Sequence, residues 1–361
     1  MRFYDALQLD PSVIKQKMRT AELPRERHKL MAAMVARSIL IVLFAIVVIS
    51  PMNAVFGPEN APMGVAMLCI LLGIRFVNFG YCIKDSLLNL AVVFSLLLIA
   101  PVVASNVSLV WAALIHVSAF FIILFMTSDQ PELGNAGIYT FAYIYLSGNP
   151  VTGALLWKRA LLTLVGYLVC AAVLYVKHRG KDQSTRFLDL VGQFRLSNQK
   201  TQWQLQLALG VGLLLALGTF LNLQRMMWAA FACGSILGCY SATMEQEKER
   251  FAQRMVGTFA GSLVYFLGCQ LIPSSLRPLF GPLGGMCLGF CTDYRFKTAC
   301  NCLGALMMAT SLYGVEGSVF LRVMNNFVGV IFGYTFWVLY QKVVQKCSMH
   351  TSPDGAETPA V

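Results

Sequence analysis

The chain has 361 residues, of which 57% are hydrophobic and 12% are charged, and its mean hydropathy is +0.65. Such a composition excludes a soluble globular protein, because too few polar side chains are available to cover a solvated surface. It predicts an integral membrane protein: an all-α, polytopic transmembrane helix bundle. The net charge of +11 does not indicate a nucleic-acid partner, since the basic residues crowd particular loops. Membrane topology and contact with anionic lipid headgroups explain those loops better.

The chain opens with a basic lead at residues 1–37, which we expect to form one or two amphipathic helices at the cytoplasmic membrane surface. A first membrane half, residues 38–178, follows with six apolar segments. They lie at 38–56, 62–80, 86–105, 107–126, 135–147 and 157–176. The fifth is short and ends in Ser147-Gly148-Asn149-Pro150, which breaks helices, so we expect a half-helix or a tilted one.

A basic amphipathic linker at 179–204 resembles the N-terminal lead, and its Arg186-Phe187-x-Asp189 matches Arg2-Phe3-x-Asp5. The second membrane half, residues 205–345, again contains six apolar segments, and a polar tail occupies 346–361. These segments lie at 205–223, 226–244, 254–272, 277–292, 298–313 and 322–340. The pattern predicts about twelve spans in two six-helix repeats.

One short pattern recurs where apolar segments begin: an arginine, a hydroxyl or amide residue four positions on, and a glycine three positions further. The three copies are Arg254-Thr258-Gly261, Arg159-Thr163-Gly166 and Arg322-Asn326-Gly329. On a helix the first two residues of each copy lie one turn apart on the same face. A guanidinium beside a polar group can bind a carboxylate, so these arginines and their partners are candidate substrate-binding residues. The arginines could instead extend to lipid headgroups.

Five glycines at helical spacing are expected to let helices pack closely rather than to contact a ligand. They are Gly166, Gly257, Gly261, Gly329 and Gly333.

His116 lies near the middle of an otherwise apolar segment, LVWAALIHVSAFFIILF. A titratable side chain is unusual at such a depth, so His116 is a candidate for proton coupling. The alternative is a hydrogen-bonded histidine of the core.

No pattern indicates catalysis or a bound metal. The eleven cysteines lie mostly within apolar segments and form no CxxC pair. The sequence contains no Walker lysine motif, no Gly-x-Ser-x-Gly elbow and no His-Glu-x-x-His. We therefore expect neither enzyme activity nor a cofactor nor a metal site.

Residues 200–345 resemble the FUSC family, the fusaric acid resistance proteins and aromatic acid exporters, and residues 30–178 resemble it more weakly. Trp228-Ala229-Ala230 matches the family's tryptophan-rich second helix. The matches to its signature helix are Arg254, Gly257, Thr258 and Gly261. The superfamily is also similar to the plant aluminium-activated malate transporters, whose six-helix subunits pair around an anion pathway.

The resemblance implies a secondary transporter that exports small organic anions, above all aromatic carboxylates, with coupling to the proton gradient. A passive organic-anion channel and a membrane scaffold protein without transport are the alternatives. The fused halves could replace the pairing of six-helix subunits, which predicts a monomeric pseudo-dimer, with a homodimer as the alternative.

Loop charge predicts the orientation. With the N-terminus inside, the inner loops collect both basic stretches, whereas the outer loops at 51–62 and 101–107 contain no Lys or Arg. Together with the family resemblance, this predicts a multi-pass protein of the bacterial cytoplasmic (inner) membrane with both termini cytoplasmic.

Overall fold

The structure, a computed structural model, describes residues 3–21 and 23–351, and of residues 345 and 347–351 the backbone alone. Arg2 and the part of the predicted polar tail from 352 onward lie outside the described residues. Those described form helices and no strand. The first eight α-helices are α1 (Phe3–Gln8), α2 (Pro11–Thr20), α3 (Pro24–Phe56), α4 (Ala61–Ile74), α5 (Ile83–Ala104), α6 (Leu109–Thr127), α7 (Asn135–Ser147) and α8 (Ala154–His178). The others are α9 (Phe187–Gly192), α10 (Gln199–Phe220), α11 (Met227–Leu237), α12 (Met244–Leu271), α13 (Phe280–Leu288) and α14 (Tyr294–Thr351).

Six of the described helices are long and apolar enough to cross a membrane: α3, α5, α6, α8, α10 and α14. The fold is therefore a multi-pass membrane helix bundle, as the composition predicts. Four of the other predicted spans are short helices, namely α4, α7, α11 and α13, which contain 14, 13, 11 and 9 residues. At about 1.5 Å per residue, none of them covers a hydrocarbon layer of about 30 Å. The count of twelve spans stays a prediction.

Several boundaries follow from local chemistry. Pro24 occupies the first turn of α3, and the helix continues past Pro51 until Gly57 ends it with a φ of 90°. The predicted boundary between the lead and the first half, at 37/38, thus lies inside one continuous helix. The short fifth segment forms α7 with the predicted bounds, and Gly148 follows it.

Gly314 divides α14 into two arms, residues 294–313 and 315–351. Its φ of 69° and ψ of 177° are not helical, and side chains disfavour that region of backbone space. The chain reverses there. The first arm runs parallel to α12, since Gly257 lies beside Arg295 and Gly261 beside Ala299.

The second arm runs in the opposite direction and packs against α11 as well as α12. Along α11, Gly329 lies beside Ala229 and Gly333 beside Cys233, so these two helices are parallel. A side-chain carbon at Gly329 would overlap the carbonyl oxygen of Ala229. These glycines therefore allow the backbones of α11 and the second arm of α14 to approach each other closely. Gly166 faces the flexible side chain of Met67 instead.

The two predicted halves meet at several contacts, among them that of α11 with α7. Two of these contacts match each other: α10 packs along α6, and α13 packs along α3. The short helices extend both contacts: Phe187 of α9 contacts Phe125 at the end of α6, whereas Phe290, just after α13, packs on the cluster that contains Ala6 and Ile14. Each half thus contacts the short helix that precedes the other half. Both short helices, α1 and α9, begin at a phenylalanine and are six residues long.

Gly329→Ala is expected to destabilise the protein, because the added methyl group must push α11 away from the second arm of α14. Overpacking of this kind costs about 1–3 kcal/mol. Thermal unfolding in detergent measures the loss. The matched control is Gly137→Ala, where nothing lies within 4 Å of the new carbon and stability should be unchanged or slightly higher. Equal losses in both variants would contradict the close packing.

Candidate functional site

The buried polar residues of the second half gather where α12 meets the second arm of α14. Thr243 and Gln246 cap the start of α12 reciprocally, which fixes where the helix begins. Two turns further on, Arg254 donates from Nε to Asn326 Oδ1 at 3.1 Å and from Nη1 to the Tyr294 hydroxyl at 3.0 Å. Arg254 therefore joins α12 to both arms of α14.

Arg322 lies one turn from Asn326 on the second arm, and the Asn326 amide donates to the Arg322 carbonyl oxygen at 2.8 Å. The Arg322 side chain is only 5% exposed. Its guanidinium carbon lies 5.1 Å from the centre of the Trp228 ring on α11. No hydrogen bond from this guanidinium to a described residue is present, and its Nε is buried without a partner. Arg322 is thus a buried cation held by an aromatic face.

The contact between Arg254 and Asn326 fixes which residues of α12 lie opposite which residues of the second arm of α14. Four residues span about 6 Å along a helix, and the two segments run in opposite directions. Thr258 therefore lies at the level of Arg322. By the same spacing Ser262 of α12 lies at the level of Ser318. We call this set the polar seam: Arg254, Thr258, Ser262, Ser318, Arg322 and Asn326.

The seam contains more hydrogen-bonding capacity than its own residues use. The hydroxyl oxygens of Thr258, Ser262 and Ser318 are buried and have no partner among the described residues. Buried polar groups are normally paired, because an unmade hydrogen bond costs about 1–3 kcal/mol. Together with the Arg322 guanidinium, these hydroxyls form a set of donors with no acceptor of their own.

Arg159 and Thr163, the equivalent pair of the first half, share no described contact with the seam. Arg159 is 2% exposed and donates to Asn60 Oδ1, the Asn149 carbonyl oxygen and the Glu59 carbonyl oxygen at 2.9, 2.6 and 2.8 Å. Thr163 donates to the Arg159 carbonyl oxygen. Both side chains are therefore bound by the protein itself. Of the six candidate substrate-binding residues, four lie together and these two lie apart.

The comparison with known families concerns the segment that holds the seam. Residues 212–336 match the family model described as fusaric acid resistance protein-like. Over these residues the chain is similar to the FUSC family. The matched FUSC segment covers about a third of the chain and contains all six seam residues. It indicates a membrane protein related to transport. The comparisons with curated proteins and with solved structures returned no match.

Two residues next to the seam were not singled out by the sequence. Arg250, one turn before Arg254, donates from Nε to the Ser235 carbonyl oxygen at 2.8 Å, and its guanidinium carbon lies 4.4 Å from the centre of the Tyr294 ring. Tyr294 thus contacts two arginines of the FUSC segment. The spacing of four between Arg250 and Arg254 was visible in the sequence, but the charged run around Arg250 resembled a solvated helix end.

His116 lies outside the FUSC segment. It is buried in α6, and its Nδ1 is 2.9 Å from the Tyr143 hydroxyl, with the two rings edge to face. This geometry fits the hydrogen-bonded core histidine that the sequence left open as the alternative. Among the described residues, no group of His, Cys, Asp or Glu side chains could hold a metal ion.

The two equivalent arginines should respond differently to lysine. Arg159→Lys is expected to lower the free energy of unfolding by about 2 kcal/mol or more. A lysine ammonium group cannot reproduce the three hydrogen bonds that the planar guanidinium donates. Arg322→Lys should leave the unfolding temperature close to that of the parent, since no described hydrogen bond is lost. Thermal unfolding of both variants in detergent makes the comparison. Similar losses would mean that Arg322 is bound as firmly as Arg159.

Proposed function

We propose that the chain is a secondary transporter that exports small organic anions, with aromatic carboxylates as the substrate class and the proton gradient as the driving force. The polar seam is the substrate site. The observation that carries the proposal is Arg322, which is 5% exposed and whose guanidinium donates no hydrogen bond to a described residue, with its Nε buried.

Energetics favour an anion at this position. Leaving a buried charge without a compensating partner costs about 3–5 kcal/mol. Arg186, Lys200 and Arg295 each form an ion pair, but no seam residue forms one with a described residue. A carboxylate placed between Arg322 and the free hydroxyls would supply the missing counter-ion. The same donors would replace the water that the carboxylate loses on leaving solvent.

The aromatic surroundings support a substrate with a flat ring. Trp228 already stacks on Arg322, and Arg225 approaches both the Trp228 ring, at 6.0 Å, and the Tyr313 ring, at 5.6 Å. A bound aryl carboxylate could place its carboxylate on Arg322 and its ring against this cluster.

The seam also has an approach at its other end. A cleft of about 390 Å³ lies beside the start of α12, and Gln246, Arg250 and Gln253 are among its lining residues. Arg250 and Arg254 follow one another from this cleft toward Arg322. We propose that Arg254 with Thr258 receives the anion from one side and Arg322 with Asn326 from the other, and that the two pairs are gated alternately.

The finer architecture belongs to the same proposal: twelve spans in two six-helix repeats, with both termini cytoplasmic, in the bacterial inner membrane. The break at Gly314, which makes two membrane segments from α14, supports it. The two matching contacts between the halves, α10 on α6 and α13 on α3, support a fused pseudo-dimer. With the N-terminus inside, the cleft beside α12 faces the cytoplasm.

Proteoliposomes loaded with benzoate test the function. The parent should export benzoate and not the uncharged benzamide. Arg322→Lys and Arg254→Lys should each lower the rate at least about tenfold, since lysine keeps the charge but cannot hold a carboxylate through two parallel bonds. Arg295→Lys is the control, because the Arg295 side chain is exposed and its guanidinium contacts Asp293 and Phe296 at the surface. Arg322→Lys is the more informative variant, since it removes no described hydrogen bond.

The same vesicles separate the alternatives. Export against a benzoate gradient, driven by an imposed pH difference, is expected of the proton-coupled exporter. Flux that only follows the benzoate gradient would indicate the passive channel. No flux from a correctly folded parent would exclude both transport hypotheses and favour the membrane scaffold protein. Parent-like export by both seam variants would show that the arginines only contact lipid.

Substrate choice gives a further expectation. Trp228→Leu should lower the preference for benzoate over acetate about three- to tenfold, because the ring loses its aromatic partner while Arg322 remains. Trp111→Leu is the matched control, since Trp111 on α6 is exposed on the surface of the bundle. Competition between the two carboxylates in the export assay measures the preference. An unchanged preference in Trp228→Leu would place the aromatic ring elsewhere.

A further inference from the structure

Glu247 is the most unusual ionisable residue outside the seam. It lies in the first turn of α12, about two turns before the apolar part of the helix begins at Arg254. Its side chain is 0% exposed, although its neighbours Lys248 and Glu249 are exposed. Neither carboxyl oxygen has a hydrogen-bond partner among the described residues.

The ionisable groups around Glu247 come from three elements. On α12, the guanidinium of Arg250 is one turn further along and attracts the carboxylate without forming an ion pair within 4 Å. The Cys239 thiol, in the loop after α11, also interacts electrostatically with Glu247. From α14, the first arm brings Tyr294 against Arg250, and the second arm brings Tyr334 against Phe251. Arg250 is therefore the cation that attracts the Glu247 carboxylate most directly, although the two do not form an ion pair.

The geometry fits a neutral carboxylic acid. An ionised carboxylate with no donor and no water contact would be expensive, so burial favours the protonated form. Burial raises the pKa of Glu247 to about 7, although Arg250 opposes the rise. Glu247 would then change charge in the range of cytoplasmic pH.

A chain of contacts connects Glu247 to the seam. Arg250 lies over the ring of Tyr294, and the hydroxyl of Tyr294 accepts from Arg254, which in turn donates to Asn326. An ionised Glu247 would draw Arg250 toward itself and away from Ser235 and Tyr294. A neutral Glu247 leaves Arg250 and Arg254 positively charged and directed at the approach to the seam.

We propose that Glu247 is a proton-binding site linked to anion binding in the seam: the protein binds its anion more tightly when Glu247 is protonated. This inference rests on the proposed function. By reciprocity, anion binding makes Glu247 take up a proton. Because Glu247 lies before the apolar part of α12, which is one of the twelve proposed spans, its proton arrives and leaves on one side of the membrane. Glu247 therefore senses pH on the side of the α12 cleft and does not carry the coupling proton.

Proton binding can be tested without any substrate. A glutamate whose pKa is raised in the folded state contributes stability at low pH that is lost as the pH rises from about 4.5 toward about 7. Between about pH 5 and about pH 8, the unfolding temperature of the parent should fall more than that of Glu247→Gln, which keeps the neutral form. Glu245→Gln, at an exposed site on the same turn, should behave as the parent. Identical pH dependence in the parent and in Glu247→Gln would overturn the proton site.

Linkage is tested with benzoate binding by calorimetry to the full-length protein in detergent. For the parent, affinity should weaken about fivefold or more from about pH 6 to about pH 8. Glu247→Gln should bind at both pH values as tightly as the parent does at the lower one. Arg250→Gln should lose the pH dependence while Glu247 still titrates in the unfolding experiment, because the connecting cation is gone.

The outcomes separate this inference from the proposed function. If the parent binds no benzoate at either pH, the substrate class is wrong, while the unfolding experiment still decides whether Glu247 binds a proton. If benzoate binds with the same pH dependence in the parent and in Glu247→Gln, the linkage is wrong and the transporter stands. If His116→Asn abolishes the dependence and Glu247→Gln retains it, the proton site is His116 and this proposal fails.

Discussion

The hydrogen bond between Arg254 and Asn326 is the contact on which the arrangement of the second half depends. It joins α12 to the second arm of α14, while the bond from Arg254 to Tyr294 joins α12 to the first arm. Both acceptors are neutral. They hold the guanidinium in place without cancelling its charge, as the Trp228 ring does for Arg322. These neutral contacts therefore orient both guanidinium groups without neutralising them, so the anion binding proposed above would need little reorganisation.

The same short sequence pattern has two different outcomes in the two halves. Arg159 meets acceptors at the start of α4, where Glu59 offers a carbonyl oxygen and Asn60 an amide oxygen. At the start of α11, Arg322 meets the face of Trp228. The residues on the neighbouring helix thus decide whether an arginine of this pattern is a structural cross-link or an available cation.

Much of the fold could be predicted because it depends on local composition. Apolar segments and the helix-breaking sequence after Ser147 gave the helices and the bounds of α7. The small-residue spacing indicated close packing, and Gly329 indeed touches the backbone of α11. The shortness of α11 and α13 was not predicted, because apolar composition continues past the ends of these helices. The reversal at Gly314 lies between the predicted segments 298–313 and 322–340, but the second helix begins directly after Gly314 and includes the polar residues Glu316 and Ser318.

The site was predictable in part for a similar reason. Arg254, Thr258, Arg322 and Asn326 stood out by their spacing, and Ser262 and Ser318 continue that spacing by one turn. What sequence could not supply is which helices face each other. Without that information Arg159 and Arg322 look alike. The burial of Glu247 was equally hidden, because the charged run that contains it is typical of an exposed helix end, and only the packing of the chain removes it from water.

The contacts of the short N-terminal helices have a consequence for assembly. The cluster around Ala6 and Ile14 includes Phe290, which lies near the far end of the second half. During synthesis, the first helices to leave the ribosome must therefore wait at the membrane surface for a partner that is made much later. The linker helix α9 has no such delay, because its contact Phe125 is synthesised before it. One half can close as it is made, whereas the other closes only when nearly the whole chain is present, so the N-terminal contact is the last step that completes the bundle.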